Sequence, residues 1–88
     1  MKLVEGVIIE ELGDEYVAVA TEKASEIFNG MIKLNNTAYY MMNLLFNDIN
    51  YDDLIDQVKE HYEIDQELSK KAVDSFLNTL RETGLLNE

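Results

Sequence analysis

The hydrophobic pattern changes its period once, at Asn35, and the two halves predict different structures. Before that point apolar and polar positions alternate. Between Val4 and Leu12, Val7 and Ile9 alternate with Ile8, Glu10 and Leu12, and residues two apart share one face of a strand. Gly13-Asp14 follows, a Gly-X pair suited to a two-residue type II′ hairpin turn. From Glu15 to Thr21 the alternation resumes, with Val17 and Val19 on one face and Tyr16, Ala18 and Ala20 on the other. The pattern predicts an antiparallel hairpin with strands over 4–12 and 15–21. Glu22 to Asn29 has no clear period and reads as a loop that Ile27 and Phe28 anchor to the core. A short third strand is predicted over 31–34, with Ile32 and Leu34 on one face and Met31 and Lys33 on the other. If this strand pairs with one neighbour only, its far side is an open edge.

Beyond Asn35 the spacing becomes helical. Asn35 or Asn36 is placed to cap a helix over 36–47, because an asparagine side chain accepts an orphan backbone N–H of the first turn. Ala38, Met41, Met42 and Leu45 form its i, i+3, i+4, i+7 stripe. Tyr39, Tyr40, Leu44 and Phe46 widen that stripe nearly all round, which predicts the central core helix. Asn50 caps a second helix over 51–62, with Asp52 and Asp53 at the positive end of its dipole and Leu54, Ile55, Val58 and Tyr62 facing inward. Ile64 is expected to point into the core. Asp65 caps the longest helix, 66–83, whose stripe is Leu68, Ala72, Val73, Phe76, Leu77 and Leu80. Gly84 suits the left-handed position after a helix. Leu85-Leu86 should then fold back on the core, with Asn87 and Glu88 frayed. The expected class is α+β, a three-stranded antiparallel sheet followed by a three-helix bundle (βββααα), as one domain over 1–88.

Composition narrows the function. The 88 residues are 47% hydrophobic, enough for one core. There is no cysteine, which excludes disulfides, thiolate metal sites and iron–sulfur clusters. No apolar run reaches the roughly 18 residues that span a bilayer, and Met1-Lys2-Leu3-Val4-Glu5 carries no secretory apolar region. The expectation is a cytoplasmic protein with no membrane partner. Eighteen acids against seven Lys and Arg give a net charge of −11. That charge repels phosphate backbones and favours basic or apolar partners.

Candidate chemistry is sparse. His61 is the only histidine, and Glu60, Glu63 and Asp65 beside it point in different directions around a helix end. It reads as an exposed residue near a helix C-terminus, where a cation is favoured. Glu10-Glu11 and Asp14-Glu15 straddle a hairpin, and Asp52-Asp53-Asp56 starts a helix. None forms the convergent acid–base pair that proton-transfer catalysis needs. Phosphate-loop, dinucleotide and nucleophile-elbow motifs are absent. No catalytic residue, metal or cofactor is expected. Met31 stands out as a thioether on the exposed side of the third strand. Lys70, Lys71 and Arg81 place three of the seven cations on the last helix, with Lys70 and Arg81 on the flank beside Val73 and Leu77. Asp74 is an i,i+4 neighbour of Lys70.

The order of elements carries a resemblance. Gly6-Val7, Gly13-Asp14-Glu15-Tyr16-Val17, Leu34-Asn35-x-Thr37-Ala38, Asp53-Leu54, Tyr62-x-Ile64-Asp65 and Val73-x-x-Phe76-Leu77-x-x-Leu80-x-x-x-Gly84-Leu85-Leu86 together resemble the PqqD-like family. These are recognition domains for ribosomally made, post-translationally modified peptides. The likeness covers almost the whole chain, and departs from the common pattern at Asn36, often proline, and at Met42, often a larger residue. It implies a winged-helix-like arrangement of the sheet on three helices. It implies that the domain binds the leader segment of a precursor peptide and presents it to a modifying enzyme, often a radical S-adenosylmethionine protein. It implies that the leader adds as a strand beside the third strand and enters a groove against the last helix. On this chain the peptide-binding residues implied are Met31, Ile32, Lys33 and Leu34, with Val73 and Leu77 as groove floor and Lys70 and Arg81 at the rim. An open strand edge supports this physically, since its unpaired N–H and C=O groups template an added strand. Two rivals remain at this level. One is a winged-helix nucleic-acid-binding or regulatory domain, which the charge opposes. The other is a homodimer paired through the same edge.

Overall fold

The computed structural model describes residues 1–88. Its strands are β1 (Lys2–Leu3), β2 (Val7–Leu12), β3 (Glu15–Ala20), β4 (Met31–Leu34) and β5 (Leu86–Asn87). Its helices are α1 (Ala24–Ile27), α2 (Asn36–Leu45), α3 (Tyr51–Tyr62) and α4 (Gln66–Thr83). The architecture is the expected α+β, winged-helix-like one.

The main sheet has the order β2-β3-β4, antiparallel throughout. Gly13 takes a positive φ of 68° and Asp14 does not, the pattern of a type II′ turn. Leu12 therefore pairs with Glu15, and the register follows along the hairpin. It lines up Ile9, Ala18 and Ile32 across the inner face and Ile8, Val19 and Met31 across the outer face. The weak strand formers Ala18 and Ala20 lie on the inner face, where Ala18 is buried in the core.

Several details differ from the sequence reading. The first strand begins at Val7, not residue 4, because Gly6 bends the chain with φ 98°. Its carbonyl accepts both the backbone N–H of Thr21 (2.8 Å) and the Thr21 hydroxyl (2.6 Å). The residues before the bend form β1, which pairs with β5, Lys2 opposite Asn87 and Leu3 opposite Leu86. Leu85 does fold onto the core, but Asn87 is paired rather than frayed and Glu88 is held by Arg81. The irregular stretch after β3 contains the one-turn α1. Ala24, not Ile27, is its core anchor: Ala24 is buried, Phe28 half-buried and Ile27 exposed.

Each long helix starts at the predicted cap. The side chains of Asn35, Asn50 and Asp65 accept the backbone N–H of Ala38, Asp53 and Leu68, each at 2.8 Å. α2 ends at Leu45, two residues early, and leaves Phe46 exposed, so its face is not apolar all round. Met41, Met42 and Leu45 are buried and join Leu54, Ile55 and Val58 of α3 and Val73, Phe76, Leu77 and Leu80 of α4 in one core cluster. Leu68, predicted for the stripe, is exposed in the first turn of α4. Ser69 is the one buried polar residue; its hydroxyl donates to the Ile55 carbonyl at 2.7 Å and ties α4 to α3. No helix is long and apolar enough to cross a membrane.

Candidate functional site

β4 lies at an edge of the sheet, with β3 on one side and no strand on the other. Alternation along it works as predicted. Ile32 and Leu34 turn inward, half-buried and buried, while Met31 and Lys33 are exposed. Leu34 is a core residue. Lys33 forms an exposed ion pair with Glu15 at 3.1 Å, of the kind that contributes little to stability.

Between this edge and α4 runs an open cleft of about 340 Å³. Ile32 and Lys33 line its strand side, Thr37 and Met41 its α2 side, and Ala72, Ser75, Phe76 and Thr79 its α4 side. The four α4 residues have the i, i+3, i+4, i+7 spacing of one helix face. Three of them are small, so their side chains leave the space between the strand and the helix unfilled. Phe76, 8% exposed, is shared between the cleft and the core.

This corrects the groove floor read from the sequence. Val73 and Leu77 are 0% exposed and belong to the core. Each follows a cleft residue, Ala72 or Phe76, and one step along a helix turns the side chain by about 100°. Leu77→Asp would therefore strike the core and not the groove.

Lys70 and Arg81 are also displaced, to the flank of α4 roughly opposite Ala72 and Thr79. Lys70 donates to Asp74 at 3.0 Å, and the Tyr51 hydroxyl of α3 donates to the same carboxylate. Those two bonds, the hydroxyl first, hold the Asp74 carboxyl below the usual range, and the Asp74 bond raises Lys70. Arg81 forms a two-pronged bond to Glu88, 2.9 and 3.0 Å, which lowers the Glu88 carboxyl and raises the guanidinium. Lys70 is thus held within α4 by the carboxylate that Tyr51 ties to α3, and Arg81 is held at the chain end, so neither cation rims the cleft. Lys71, four residues before Ser75, is the α4 cation on the cleft's side, and it makes no ion pair.

Ser75 and Thr79 escaped the sequence reading because a search for apolar stripes passes over small polar residues. The available signal was the spacing of small side chains at 72, 75 and 79. Elsewhere, His61 is exposed at the end of α3 and stacks on Tyr40 with ring centroids 3.9 Å apart. No three of the histidine, aspartate and glutamate side chains converge as a metal site.

A family model described as coenzyme PQQ synthesis protein D (PqqD) matches residues 15–86. Comparison with curated proteins gave no match. Among solved structures, the chain is similar to one described as TbiB1 in complex with the TbiA(beta) leader peptide. The TM-score is 0.76 at 20% identity, over 99% of this chain and 95% of that one. At that identity the likeness establishes the fold.

Proposed function

The chain belongs to the PqqD family, and on that premise we propose that it binds the leader segment of a ribosomally made precursor peptide. The leader adds as a strand to β4, antiparallel to it, and lays alternate side chains into the cleft against Ala72, Ser75, Phe76 and Thr79. The observation that carries this reading is the coincidence of a free strand edge with a cleft that runs along it. Backbone N–H and C=O groups of β4 supply pairing that any sequence can use, and the cleft selects among guest side chains. The leader-peptide complex of the similar solved structure supports the same reading.

The domain acts as a presenter. Having held the leader, it delivers the rest of the precursor to a modifying enzyme, often a radical S-adenosylmethionine protein, which supplies the chemistry. Met31, Ile32 and Lys33 form the pairing edge and Leu34 fixes it to the core. Because the attachment is mainly backbone pairing, moderate salt weakens it only modestly.

The test is titration of the isotope-labelled domain with candidate leader peptides. Amide shifts are expected at Ile32, Lys33, Ala72, Ser75 and Thr79. Thr79 is exposed, so Thr79→Arg fills the cleft while leaving the fold intact, which circular dichroism verifies. It should weaken the leader about tenfold or more, the equivalent of 1.4 kcal/mol. Unchanged affinity in a folded Thr79→Arg protein would show that the peptide lies elsewhere.

A further inference from the structure

The sheet has a second free edge. β2 lies opposite β4 in the order β2-β3-β4, and it is six residues long where β4 is four. An open cleft of about 490 Å³ runs along it. Val7, Ile8 and Ile9 all line this cleft. Because consecutive strand residues point to opposite faces, a cleft that touches all three follows the backbone edge itself. Its far wall comes from α2, where Tyr39 stacks on Tyr16 with ring centroids 3.9 Å apart. Phe46, 41% exposed, extends that wall, and Ile8 is 40% exposed beside it.

The charge on this edge is of one sign. Glu10 and Glu11 occupy the same strand and neither has an ion-pair partner. Side chains alternate, so one carboxylate stands on each face of the edge. The Glu11 carboxylate is close enough to Tyr16 to be the main cause that raises its hydroxyl.

We propose that the β2 edge takes up a basic, apolar-tipped extended segment of a second protein by antiparallel strand addition, so that the sheet joins two chains, one at each edge. Read antiparallel to β2, the guest carries two basic residues opposite Glu11 and Glu10, then apolar residues opposite Ile9, Ile8 and Val7. The basic pair satisfies the two free carboxylates, and the apolar residues cover Ile8 and the wall ending at Phe46. The charge selects this occupant over the two others an open edge admits. A second copy of this chain, paired β2 to β2 over its full length, would bring four glutamates into two strands about 4.8 Å apart, with Glu10 of each copy diagonal to Glu11 of the other on the same face, where like charges repel. Each copy also brings a net charge of −11. A nucleic acid would meet the same repulsion. The proposal goes beyond the leader site and does not depend on it, because the two clefts lie at opposite edges and report separately.

The experiment uses two capped synthetic peptides of identical composition, flanked by serines. One reads two arginines then three valines; the other reads three valines then two arginines. Each is titrated into the isotope-labelled protein. The expected result is amide shifts confined to Val7–Leu12, Tyr39 and Phe46, with the first peptide at least about tenfold tighter than its reverse. The Glu10→Arg/Glu11→Arg double variant is substituted at exposed positions. It should lose the first peptide and gain one in which glutamates replace the arginines. Equal binding of the two orders would mean charge attraction without strand addition. Shifts at β4 and α4, no binding, or a dimer that forms through β2 would each overturn the proposal.

Discussion

Phe76 joins the core to the cleft beside β4, and removing it separates the two. Phe76→Ala deletes a ring that is 92% covered, the complement of its 8% exposure. Phenylalanine-to-alanine changes in cores cost about 3–5 kcal/mol, the lost transfer energy plus a cavity term. One side of this ring lines an open cleft, so water can enter and neighbours can relax, which reduces the cavity term. The lower half of that range, about 3–4 kcal/mol, is therefore expected. A chain of 88 residues at about 0.05–0.15 kcal/mol per residue has roughly 4–13 kcal/mol in all. The variant should remain folded or lie near its threshold, with Tm lower by at least about 12 °C at 4–8 °C per kcal/mol. Urea unfolding followed by far-ultraviolet circular dichroism gives the value directly. A companion, Phe76→Leu, preserves most of the core contact but removes the ring face, so it should weaken the leader more than it weakens the fold. A Phe76→Ala protein within about 1 kcal/mol of the parent would refute the placement of the ring between core and cleft.

Gly6→Ala should cost about 2–3 kcal/mol, because a methyl group there would stand 2.3 Å from the backbone oxygen of Thr21 at φ +98°; urea unfolding measures it. Glu63 ends α3 in the left-handed region at φ 52°, so Glu63→Gly relieves about 1–2 kcal/mol of backbone strain against a chain-entropy cost of about 0.5–1 kcal/mol. A Tm rise of a few degrees is the expected outcome, and a fall would refute it. The carboxyls of Asp74 and Glu88 are lowered in the folded state. Their stabilisation is therefore full above the unfolded carboxylate range near about 4 and is lost as pH falls through the lower folded values. Thermal melts should hold from neutrality to about pH 5 and then decline. Asp74→Asn should show a lower neutral Tm and a shallower acid decline. An identical acid limb in that variant would mean the Tyr51–Asp74–Lys70 cluster does not form in solution.

Local physics made most of the elements legible. The period of two fixed the faces of β4, and the shift to 3.6 placed the start of α2. Asn35, Asn50 and Asp65 marked three helix starts because each cap is a bond to a backbone N–H three residues away. Gly13-Asp14 set the hairpin register for the same reason. All of these causes act within a few residues, so a single sequence records them. The resemblance to the PqqD-like family added the expected leader, and the family match agrees with it.

The cleft was legible in kind but not in detail. Sequence pointed to the β4 edge and to α4, yet chose Val73 and Leu77 over Ala72, Ser75 and Thr79. The apolar stripe of α4 is wide, and no local rule says which flank meets α3 and which meets the strand. That choice depends on where α3 lies, through Leu54, Ile55, Val58 and the Ser69–Ile55 bond. Lys70 pairs locally with Asp74 on its own helix, but the Tyr51 hydroxyl that reaches Asp74 across the α3–α4 seam and the Glu88 carboxylate that Arg81 meets at the chain end are non-local. The pairing of Lys2 with Asn87 lies furthest from any local signal. Strands two residues long have no period to read, and their register exists only once α4 has brought the chain ends together. The sequence by itself determined the longer strands and helices, the helix caps and most of the buried faces, because those free energies are local. Tertiary packing decided which flank of α4 faces the open edge, because that is settled by the competition among all the surfaces the core must cover at once.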